Sequence, residues 1–278
     1  MARNRSEFSA LTRRGPHKVL RGDLGFAGLP GVLYTPASGF GLPGVAFGHD
    51  WLTDVDHYAG TCAHLASWGI VAAAPDTQRS PMPSVLTLGH DLSSTLEIIS
   101  EIRLGEGQIS VDENRLAVAG HGFGAAAAVF AAAGRPAVKA AAAVFPSITK
   151  PSAEAAAAAL TMPGLVLATP DDTRSVRLDA LEVSQNWNGS VLRVVNKAGA
   201  AELAEKRRLA GLLGLRGSKN RTQRTVRALL TGFLLYQLTG DKKYRAFADP
   251  EAKLPRTSLM DPDAPPVTHE DRIVALFR

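Results

Sequence analysis

A chain of 278 residues, 45% hydrophobic and 21% charged, has ordinary globular proportions, which excludes gross disorder and allows a large buried core. The net charge of +5 is too small to imply a nucleic-acid or membrane partner unless it is clustered, and the single cysteine, Cys62, excludes an intrachain disulfide and fits a reducing compartment. No apolar signal-peptide core stands near the start and no uncharged apolar run approaches roughly 20 residues, so a cytoplasmic protein without a membrane span is expected.

Residues 1–20 are polar and basic and read as a surface arm. Gly31-Val-Leu-Tyr-Thr-Pro36 predicts a strand closed by proline, residues 39–43 a glycine-rich turn, and residues 44–47 a second strand running into Gly48-His49-Asp50-Trp51. Tyr58, Cys62, Leu65 and Ala66 give residues 57–68 a helical period. A wholly apolar run at 69–74 has strand length, and a Pro/Ser loop at 80–84 leads into an amphipathic helix over 86–104. Residues 116–120 form a strand that passes through glycines into an alanine-rich helix at 125–133. Three more buried strands are expected at 139–145, 164–168 and 190–195, then a helix over 222–238 and an irregular, proline-rich tail at 241–278. Apolar strands alternating with helices predict one α/β domain over 1–278, a mostly parallel twisted sheet with helices on both faces. In such sheets the reactive loops lie beyond the strand carboxyl ends. That gathers the loops after Phe47, Gly120, Phe145, Ala168 and Val195 around one crevice.

The turn Gly120-His121-Gly122-Phe123-Gly124 has the frame of a nucleophile elbow, G-x-S-x-G, with glycine where the attacking hydroxyl belongs. Glycine at 122 relieves the strain that a side chain bears on such a turn. With this turn the chain resembles the α/β-hydrolase family, in particular its dienelactone-hydrolase and cutinase-like (polyester-hydrolase) branch. The likeness extends to Thr12-Arg-Arg-Gly-Pro16, Leu65-Ala-Ser-Trp-Gly69, Pro75-Asp-Thr77, Asp172-Thr173 and Thr239-Gly-Asp-Lys-Lys-Tyr-Arg-Ala-Phe247. The resemblance implies the α/β-hydrolase fold and a triad in the order serine, acid, histidine. Asp172 matches the acid, although a turn or cap aspartate explains it more simply. Where the branch writes roughly Gly-Ala-Ser-His-Phe, this chain has Gly199-Ala-Ala-Glu-Leu203, so Glu202 stands in the histidine's place. Of the seven histidines only His269 lies beyond the last strand, in the tail.

Gly122 and Glu202 together cannot run acyl transfer, which needs a nucleophile and a base. The loop after Phe47 departs as well. Where the branch offers amide N–H groups to an oxyanion, Asp50 brings negative charge, which suits a cationic or hydrogen-bond-donating ligand better. Pro146-Ser147 replaces the branch's Pro-Trp wall, and His121 is expected to pack or hydrogen-bond beneath the turn.

Other clusters are weaker. His49, Asp50, Asp54, Asp56 and His57 fit no standard metal spacing, and capping by Asp54 or Asp56 explains part of the group. Cys62 reads as a core residue. Eight basic residues between Lys206 and Arg227, opposed only by Glu202 and Glu205, could hold an anionic partner but read more simply as a solvated face. The leading expectation is a pseudoenzyme binding a small molecule or protein partner in a crevice lined by His49, Asp50, Trp51, Gly122, Phe123 and Ser147, beside Asp172 and Glu202. One alternative is a carboxylic-ester hydrolase using His49, Asp50, Asp172 and Glu202. Another is an interaction protein docking through residues 206–227. No cofactor or metal is implied, and nucleic acid is not an expected partner.

Overall fold

The computed structural model describes residues 2–135, 137–172, 178–205 and 220–259. Its nine strands are β1 (Val19–Asp23), β2 (Gly31–Pro36), β3 (Gly39–Gly48), β4 (Val71–Pro75), β5 (Ile109–His121), β6 (Ala140–Val144), β7 (Gly164–Ala168), β8 (Ser190–Val195) and β9 (Thr257–Ser258). All join one sheet in the order β1-β2-β4-β3-β5-β6-β7-β8-β9. The six strands from β4 to β8 in that order run parallel, while β1, β2 and β9 pair antiparallel at the two edges.

Among the described residues seven α-helices accompany them: α1 (Ala2–Leu11), α2 (Ala59–Ser67), α3 (Val85–Glu101), α4 (Phe123–Gly134), α5 (Ala153–Ala157), α6 (Ala180–Asn186) and α7 (Asn220–Thr239). The period-2 alternation of the strands sorts the core into two layers. Val45, Phe47, Ala117 and Ala119 face α1, α2 and α7 through Leu11, Leu65 and Phe233. Ala46, Leu116 and Val118 face α3 to α6 through Leu92, Ala126 and Val183. Both faces of the sheet are therefore covered, as the unbroken apolar runs require. Among the described residues, no helix is long and apolar enough to cross a membrane.

The central strands and long helices fall where the hydrophobic runs predict them, β1, α5 and α6 are elements those runs do not mark, and three segments differ from expectation. Residues 1–20 are not merely a polar arm: they contain α1, whose Phe8 and Leu11 are buried in the core. The glycine-rich 39–43 segment is not a turn but the irregular start of β3, with register shifts against β5 at Gly39, Leu42 and Gly44. Its glycines mark an irregular strand rather than a chain reversal. The first part of the tail is ordered, with a 3₁₀ helix at Lys242–Phe247 burying Tyr244 and Phe247, and β9 closing the sheet edge. Residues 260–278 lie outside the described residues.

One close approach fixes where the site forms. A Cβ on Gly120 would fall on the backbone carbonyl of Gly124, so only glycine lets α4 sit this tightly on the end of β5.

Candidate functional site

β5 ends and α4 begins at Gly122, whose φ of 57° and ψ of −117° lie outside the range of ordinary side-chain-bearing residues. Its N–H donates to the Val144 carbonyl at 3.0 Å, and its own carbonyl accepts from Ala125 N and Ser147 N, both at 3.1 Å. The turn is a fully tied elbow that carries no side chain.

Asp50 fills the space above it. A Cβ built on Gly122 would land on the Asp50 carboxylate. Asp50 Oδ1 accepts from the backbone N–H of Trp51 at 2.8 Å and of Phe123 at 2.9 Å. One amide follows the elbow position and the other comes from the loop after β3, the two sources of an oxyanion hole in this architecture. The main chain of Asp50 is held in turn. Its carbonyl accepts from Thr53 Oγ1 at 2.6 Å, and its N–H donates to Tyr58 Oη at 3.1 Å.

Beneath the turn, a chain of hydrogen bonds fixes His121. Its Nε2–H donates to the Ala200 carbonyl at 2.6 Å, which leaves Nδ1 to accept from Tyr58 Oη at 2.8 Å. The ring is 1% exposed and lies between Tyr58 and Phe145, with centroids 5.7 and 6.0 Å away. Nδ1 is 4.0 Å from Asp50 Oδ2, beyond hydrogen-bond reach. His121 thus supports the floor of the site from below.

A cleft of about 880 Å³ opens over this floor. Its walls come from the loops after β3 (Asp50, Trp51, Leu52), β4 (Pro81, Pro83), β5 (His121, Gly122, Phe123), β6 (Phe145, residues 147–150), β7 (Leu178) and β8 (Ala200, Ala201). Trp51 Nε1 reaches the Pro81 carbonyl at 3.3 Å and joins two of these loops at the rim. The contributions of Pro81, Pro83, Ile148, Lys150 and Leu178 carry no motif; only their position after a strand could have signalled them.

The structure brings together Asp50, Trp51, Gly122, Phe123 and Ser147, and places the other three expected residues elsewhere. Both ring nitrogens of buried His49 face carbonyls, Asp50 O at 2.9 Å and Thr77 O at 2.7 Å, so the ring ties two loops instead of lining the cleft. Asp172, 5% exposed, accepts from Thr169 N at 3.0 Å and Ala180 N at 3.2 Å and so binds the end of β7 to the start of α6. Glu202, also 5% exposed, accepts the Thr222 hydroxyl at 2.6 Å and points to α7. Neither Asp172 nor Glu202 is a lining residue.

The remaining clusters resolve into structural contacts. Asp54 makes no side-chain capping bond; its carboxylate takes His57 Nδ1 at 2.7 Å. Among the described residues, no three His, Cys, Asp or Glu side chains are grouped to hold a metal. Burial pushes the Cys62 thiol up to about 12, which removes it as a nucleophile. Of the basic run, residues 206–219 lie outside the described residues, as does His269. Arg221 and Arg224 are exposed on α7, but Arg227 pairs with Glu205 at 2.5 Å. Glu205 also accepts from Gly60 N and Thr61 N at the start of α2.

The model of the dienelactone hydrolase family matches residues 29–183, which span β2 to α6 and include the elbow. No curated protein matches the chain.

Proposed function

The chain belongs to the dienelactone hydrolase family, an α/β-hydrolase family, and from that premise we propose a catalytically degenerate member that binds a ligand in the former active-site cleft without turning it over. One observation carries this reading: the Asp50 carboxylate stands where a nucleophilic side chain would rise from the elbow, and it already holds both amide donors. An acyl-transfer enzyme needs those donors free for the charge that develops on the substrate oxygen. Here both already donate to the Asp50 carboxylate instead. The volume of the cleft lies within the range of small-molecule sites, and its walls are largely apolar, which supports binding.

Ester hydrolysis through non-standard residues has less support. Of the four side chains that reading requires, only Asp50 lines the cleft, and the one imidazole in the lining among the described residues, His121, has both ring nitrogens engaged by Tyr58 and Ala200. Docking through the basic segment draws support only from exposed Arg221 and Arg224.

Short p-nitrophenyl esters test the reading directly. The purified chain should hydrolyse them no faster than buffer does. Turnover that disappears in Asp50→Asn would overturn the proposal in favour of a carboxylate-driven hydrolase.

A further inference from the structure

The two oxygens of Asp50 differ in their surroundings. Oδ1 is saturated by the N–H groups of Trp51 and Phe123. No hydrogen bond from the described residues reaches Oδ2, whose nearest basic neighbour is His121 Nδ1 at 4.0 Å. That nitrogen faces the Tyr58 hydroxyl at 2.8 Å and lies beyond hydrogen-bond reach of Oδ2. Asp50 retains a fifth of its side-chain exposure at the bottom of the cleft. Lys150 is the one cationic lining residue among those described, and it is exposed at the mouth. Among the described residues no lysine or arginine stands within ion-pair distance of this carboxylate, and such a group at the foot of a largely apolar cleft favours a ligand that brings a cation.

Resting on the reading of the cleft as a binding site, we propose that it takes an alkyl- or aralkylammonium ligand. The ligand donates one N–H to Asp50 Oδ2 and lays its apolar body against Leu52, Phe123, Phe145 and Leu178. The single open oxygen sets the choice among cations. A guanidinium recognises a carboxylate by a two-pronged fork, which needs both oxygens, and Oδ1 is already committed. A quaternary ammonium has no N–H to donate. A primary or secondary ammonium fits one acceptor at the end of an apolar slot.

Calorimetric titration of the full chain with 2-phenylethylammonium, its trimethylammonium and guanidinium analogues, 2-phenylethanol and 3-phenylpropanoate tests this. The primary ammonium should bind tightest, and Asp50→Asn should weaken it by about tenfold or more while leaving 2-phenylethanol unchanged. Asparagine keeps an oxygen for the two amides, so the loop geometry should survive. Equal binding of ammonium and alcohol, or ammonium binding indifferent to Asp50→Asn, would overturn the ammonium assignment and leave a ligand-binding cleft standing. Absence of binding by the whole series also overturns it. Ester turnover by the unmodified chain is the separate result that would remove the underlying reading.

Discussion

The elbow side of the site and the β7–β8 side hold their polar groups in different ways. At the elbow, β5, Gly122 and α4 hold the full backbone geometry, down to a pair of converging amides. At the β7–β8 side, two carboxylates, Asp172 and Glu202, hold loops and helices together and stay out of the cleft. The difference follows from what each part needs. An elbow is maintained by glycine contacts and backbone hydrogen bonds, which persist without a reacting atom. The Asp172 and Glu202 carboxylates have no such glycine frame and turn to nearby donors, two backbone N–H groups and the Thr222 hydroxyl.

The harshest way to break this contrast is Gly120→Ala. Its Cβ would strike the Gly124 backbone, which no rotamer change can relieve, and a loss of about 5 kcal/mol or failure to fold is expected in chemical denaturation. Gly122→Ser comes next, at about 4 kcal/mol, combining a strained backbone with overlap on the Asp50 carboxylate. Adding Asp50→Gly should recover much of that loss, a coupling that a double-mutant cycle measures. Gly122→Ser with Glu202→His should remain without esterase activity while Asp50 is present. Activity in that double variant would show that the acid and base side had kept its geometry after all.

Acid probes the other face of the sheet, where α2 packs on β2 and β4. His64 is buried, its Nε2 has no hydrogen-bond partner, and burial, with Arg227 adding to it, lowers its pKa to about 4. The unfolded imidazole takes up a proton near pH 6.5 and the folded one only near pH 4, so the unfolded chain binds more protons in between. Stability is therefore fully present above about 6.5 and falls as pH drops toward 4, by at most about 3 kcal/mol. Denaturation midpoints across that window should show the slope, and His64→Gln should flatten it.

The smallest effects belong to the β7–β8 side. Asp172→Asn should cost about 1 to 2 kcal/mol by replacing a charged acceptor of two backbone N–H groups, and Glu202→Gln about 1 kcal/mol. Neither should alter binding of a small ligand in the cleft. A severalfold change in titration with either variant would put that carboxylate back into the site.

The sequence alone determined the central strands and long helices, the covered parallel sheet and the elbow without a hydroxyl, because these rest on local apolar periods and glycine spacing. It also placed negative charge near the amide donors through Asp50. The tertiary structure alone decided which carboxylate faces the cleft. Asp50 meets Phe123 across 73 positions of the chain, while Glu202 meets Thr222 and Asp172 meets Ala180. All three are acids in loops beyond parallel strands, alike to a reading of residue types. Their directions depend on which donors the folded chain brings within about 3 Å, and no local pattern carries that information.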